Sequence, residues 1–81
     1  MFVTESFIVF PEGDSQEIDW RLMLNQLVDV NGHPLPTPLP TNRMIVFQVA
    51  KIRTNDYKGG SETYYYLEQV SAQELLEYVE E

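Results

Sequence analysis

Eighty-one residues, 43% of them apolar, suffice for one domain spanning residues 1–81. A chain of that size buries only about 60–65% of its unfolded surface, too little for a deep catalytic cleft. The formal net charge of −8 argues against non-specific binding to nucleic acid or to an anionic membrane, since both draw on an excess of Lys and Arg. With no cysteine, disulfides, thiolate metal sites and cysteine nucleophiles are excluded together, and a reducing, cytoplasmic compartment is expected.

Residues 2–10, FVTESFIVF, are rich in Phe, Val and Ile and read as a strand that Pro11 and Gly13 bring to an end. The run carries no basic flank and is interrupted by Glu5, so it is expected to be neither a leader peptide nor a membrane span. A polar turn, PEGDSQE, follows. Residues 18–30 alternate apolar with polar, with Ile18, Trp20, Leu22, Leu24, Val28 and Val30 in step, and this favours extended structure. A helix is the competing reading, with Asp14 and Glu17 as a capping pair and Trp20, Met23, Leu24 and Leu27 on one face.

Asn31-Gly32 between such flanks signals a hairpin with a type I′ turn. The alternating Pro34, Pro36, Pro38 and Pro40 then predict an extended, polyproline-like connector. Residues 43–53, RMIVFQVAKIR, form the next strand, and TNDYKGGS reads as a turn. Residues 62–70, ETYYYLEQV, return as the antiparallel partner. Ser71 and Glu74 make a capping box for a C-terminal helix over SAQELLEYVEE, with Ala72, Leu75, Leu76 and Val79 as its apolar stripe. The expected fold is α+β: a small antiparallel sheet or partly closed barrel of about five strands with a short C-terminal helix.

Strict alternation sets Thr63, Tyr65 and Leu67 on one face of the last strand and Tyr64, Tyr66, Glu68 and Val70 on the other. In the partner strand, Phe47, Val49, Lys51 and Arg53 share a face, and Val46, Gln48, Ala50 and Ile52 share the opposite one. Neither side of this ribbon is cleanly polar, so both need cover, from barrel closure or from another molecule. Phe47, Lys51, Arg53, Tyr57, Tyr64 and Tyr66 are therefore the candidate partner-binding residues. Tyrosine offers contact area at low entropic cost. The cations are expected to pair with Glu62 and Glu68 across the hairpin and to lie over the tyrosine rings.

Signals for catalysis are weak. His33 is the lone histidine and sits in a turn, with no second histidine or cysteine to share a zinc ion. Glu12, Asp14, Glu17 and Asp19 do not follow the calcium-loop spacing, and KGGS is too short for a phosphate cradle. No serine lies in a nucleophile-elbow pattern. No enzyme activity, cofactor or metal is expected. The favoured reading is a non-enzymatic accessory protein that contacts another protein or a second copy of itself. An acidic mimic of nucleic acid that fills a basic groove is the alternative, resting on the net charge. Binding of single-stranded nucleic acid by the basic-aromatic hairpin comes third.

Overall fold

A computed structural model describes residues 1–79. The apolar N-terminal run forms β1 (Val3–Val9) and turns back as β2 (Ser15–Ile18). β3 (Leu27–Val28), β4 (Val46–Tyr57) and β5 (Gly60–Val70) form an antiparallel meander. The two groups join where β1 lies parallel to β5, from Val3 opposite Gly60 to Val9 opposite Tyr66. The sheet order is β2-β1-β5-β4-β3, and the five strands curve into a half-barrel. A short helix, α1 (Ala72–Leu75), and a 3-10 turn (Leu76–Tyr78) follow β5.

Several expectations hold and several are corrected. β1, the β4–β5 hairpin and the capped helix lie where they were predicted, but the sheet is mixed, because β1 pairs with β5 in parallel. Residues 18–30 form neither a long strand nor a helix. They run from the end of β2 through bends to the two-residue β3. Their alternation reflects Ile18, Leu22 and Val28 reaching one core from irregular backbone.

The Asn-Gly turn is not type I′. Asp29 N–H donates to His33 O and Gly32 N–H to Asp29 O, which closes a three-residue loop with only Gly32 at positive φ, +81°. That is a type I turn followed by a bulge residue. The Asp29 carboxylate selects it by accepting from Asn31 N–H (2.8 Å) and His33 N–H (3.0 Å). Trp20 stacks on His33 with centroids 4.4 Å apart and donates from Nε1 to Gly32 O. The loop is thereby pressed onto the buried Ile8.

The segment Thr54–Tyr57, expected in a turn, continues β4, and the reversal is confined to Lys58-Gly59. The expected helical stripe is also shortened. Of its members only Leu75 is buried, Ala72 and Leu76 are exposed, and Val79 is extended and bridges Leu39. Residues 80–81 of the expected helix lie outside the described residues.

Two cores sit on opposite faces of the same sheet. The inner one gathers Ile8, Val28, Val49, Tyr65 and Leu67 with Ile18, and Phe10 and Trp20 pack at its edge. The outer one joins Leu27, Val46 and Val70 to Leu39 of the proline-rich connector and to Leu75. Adjacent residues such as Leu27 and Val28 serve different cores because successive strand side chains point to opposite faces. Both cores lie toward the β3 end. Beyond them the β4–β5 ribbon projects, and every residue of β4 from Ala50 to Tyr57 is exposed. The projection accounts for extents of 49 × 23 × 16 Å and a radius of gyration of 14.0 Å. A compact chain of this length would have about 12 Å.

Candidate protein-binding face

A bulge decides which residues share a face. Val49 pairs with Leu67, but the next register pair is Lys51 with Tyr66, so Ala50 is an extra residue in β4. Phe47 and Val49 therefore face inward with Leu67, whereas Lys51, Arg53, Asn55 and Tyr57 face outward with Tyr66, Tyr64 and Glu62. This corrects the face assignment made by straight alternation, which put Phe47 and Val49 beside Lys51 and Arg53 and put Ile52 on the other side. Ile52 instead pairs with Tyr65 on the inner face.

On the outer face the aromatic strip is built across two strands, β1 and β5. Parallel register sets Phe7 beside Tyr64 and Val9 beside Tyr66. The Phe7 and Tyr64 rings stack with centroids 5.3 Å apart and planes 17° apart. All four side chains are half-buried, partly by one another. Arg53, Asn55, Tyr64 and Tyr66 border an open groove of about 360 Å³. The C-terminal helix covers only the other half of this face, over Val46 and Val70.

The charged groups are arranged unevenly. Tyr64 Oη donates to Glu62 Oε2 at 2.7 Å, and Tyr57 Oη to Glu5 Oε1 at 3.4 Å. The hydrogen bond to Glu62, with partial desolvation and the negative charge nearby, raises the Tyr64 pKa above 10.0. Partial desolvation, then the charges of Glu5 and Glu62, raises that of Tyr57 as well. Lys51 Nζ lies 6.0 Å from the Tyr66 centroid, at the outer limit of a cation–π contact. The expected pairing of Lys51 and Arg53 with Glu62 and Glu68 does not form. Among the described residues the only contact within 4.0 Å between a basic side chain and a carboxylate is His33 Nδ1 with Asp29 Oδ1, at 3.8 Å.

Five of the six sequence candidates, Lys51, Arg53, Tyr57, Tyr64 and Tyr66, are thus on one face. Phe47 is not. It is buried in the inner core, edge-to-face with Phe10, and borders a separate groove with Val30 and Ile45. Phe7 and Val9 were missed, although their odd-numbered positions in β1 place them on one side of that strand. A strand apolar on both sides gives no sign of which side its own chain will cover.

Residues 2–78 match a family described as an uncharacterised Treponema protein. The chain belongs to that family. No curated protein and no solved structure matches it. Among the described residues no helix is long and apolar enough to cross a membrane.

Proposed function

We propose that this chain is a non-enzymatic binding module that contacts a protein partner through the outer face of its ribbon. One observation carries the reading. Phe7, Val9, Tyr64 and Tyr66 form a contiguous strip that no other segment of the described chain covers, beside Lys51 and Arg53, which have no carboxylate within 4.0 Å among the described residues. Clustered aromatics with a half-solvated rim are the composition of interface hot spots. Leaving them in water has no benefit to a domain this small.

A benzophenone photocrosslinker placed at Tyr66 tests this in native lysate. Adducts should form from that position, be absent when the crosslinker replaces inner-face Thr63, and disappear in the Phe7→Ser/Tyr64→Ser variant. Equal adduct formation from both positions, or adducts indifferent to the double substitution, refutes the proposal. Sedimentation at high concentration separates a foreign partner from self-association.

A further inference from the structure

We propose that the free edge of β4, Lys51–Tyr57, accepts an extended acidic segment of the partner as a sixth strand of the sheet. This rests on the protein-binding reading above and names the partner's chemistry.

The edge is open. Loop residues Asn25 and Gln26 hydrogen-bond to β4 only as far as Val49. Among the described residues, no backbone hydrogen bond outside the β4–β5 ladder reaches residues 50–57. The stretch is regular, running without a register shift from Lys51 opposite Tyr66 to Tyr57 opposite Gly60, and it contains no proline. A two-residue hairpin loop closes on a mutually bonded pair, here Tyr57 and Gly60. Alternation then turns the N–H and C=O of Ile52, Thr54 and Asp56 toward the open side. The seven residues Lys51–Tyr57 make an edge of about 20 Å, enough to template a short strand.

The side chains specify what can pair there. An added strand would meet Lys51 and Arg53 on the outer face, and neither has a carboxylate within 4.0 Å among the described residues. On the inner face it would meet Ile52, which is 38% exposed. The complementary segment alternates carboxylates with β-branched apolar residues.

A second copy fits badly. Antiparallel pairing of β4 with itself, centred on Ile52, sets Lys51 opposite Arg53. Centred on Asp56 it sets two aspartates together, and centred on Thr54 it puts the two Arg53 side chains on a diagonal. The cations that invite acid thus also deter self-pairing. Single-stranded nucleic acid cannot extend the ladder, and its phosphates would cross Glu62 and Glu68 on the same face.

The test uses the whole chain and a fluorescein-labelled short peptide of alternating Glu and Val, with a Lys–Val peptide and a thymidine oligonucleotide as comparisons. Anisotropy should saturate with the acidic peptide alone. The Lys51→Glu/Arg53→Glu variant, altered only at exposed positions, should weaken binding by about tenfold or more. Amide exchange should slow at Ile52, Thr54 and Asp56 on peptide binding and stay unchanged at Arg53. No binding of the acidic peptide, preference for the oligonucleotide, a dimer paired along β4, or binding that leaves those three amides unprotected would each overturn the proposal. If photocrosslinks from Tyr66 survive in the charge-reversed variant, strand addition fails and the aromatic-face reading stands. Loss of crosslinks in the Phe7→Ser/Tyr64→Ser variant, with the peptide still bound, is what strand addition predicts.

Discussion

Replacing Gly32 with alanine is predicted to cost roughly 2 kcal/mol, from two separable causes. At φ +81° an L residue is strained by about 1–2 kcal/mol. The new Cβ would also stand 2.7 Å from Ile8 Cδ1, and Ile8 is fully buried. Pushing that side chain off its rotamer costs about 0.5–1.5 kcal/mol, and a stiffer unfolded chain returns about 0.4–1 kcal/mol. Gly13 supplies the control, because it occupies the same place in an equivalent three-residue loop, at φ +103°, with nothing within 4 Å of its would-be Cβ. Gly13→Ala should therefore cost only the strain, roughly 1 kcal/mol or less. The difference belongs to Ile8, and Ile8→Val, which removes Cδ1, should cost less in the Gly32→Ala background than in the wild type. Urea unfolding followed by far-UV circular dichroism measures the stabilities of the wild type and the four variants. Equal losses for the two glycine variants, or an Ile8→Val cost independent of residue 32, would refute the reasoning.

Leu75 is the one buried residue of the C-terminal helix, so Leu75→Ala should cost about 2–4 kcal/mol and speed amide exchange at Val46 and Val70. Ser71→Ala removes the side-chain half of the capping box, in which Glu74 N–H donates to Ser71 Oγ at 3.1 Å, keeps the backbone N–H that donates to Glu74 Oε1, and should cost about 1 kcal/mol by urea unfolding. Tyr57 and Tyr64 hold their protons more tightly folded than unfolded, so the stability they contribute is complete below pH 10.0 and is lost as pH rises through their folded values. The urea midpoint should fall as pH rises above about 10, and fall less in Tyr57→Phe/Tyr64→Phe.

Strand positions and the helix cap were legible because their causes are local: β-branched and aromatic runs, Gly and Pro breaks, and a Ser-x-x-Glu spacing. What escaped was set by tertiary contact. Nothing in the run Phe2–Phe10 announces a parallel neighbour, and the alternation of residues 18–30 was satisfied without a ladder. The proposed binding face shows both outcomes. The tyrosines and cations of one hairpin were found from composition, but Phe47 was grouped with them because alternation was counted straight through Ala50. No residue-level signal marks alanine as a bulge in an otherwise regular strand. Lys51 and Arg53 also ran against expectation: Glu62 and Glu68 share their face, yet among the described residues no carboxylate comes within 4.0 Å of either cation.

Ala50 has an evolutionary consequence. A one-residue deletion inside a strand ordinarily inverts everything downstream. Here, losing the surplus residue would leave Val49 beside Leu67 and Lys51 beside Tyr66, with every later side chain facing as before. The ribbon would lose curvature and keep its chemistry. Descendants of this sequence can therefore straighten or bend the projecting arm by a single codon without scrambling what it displays.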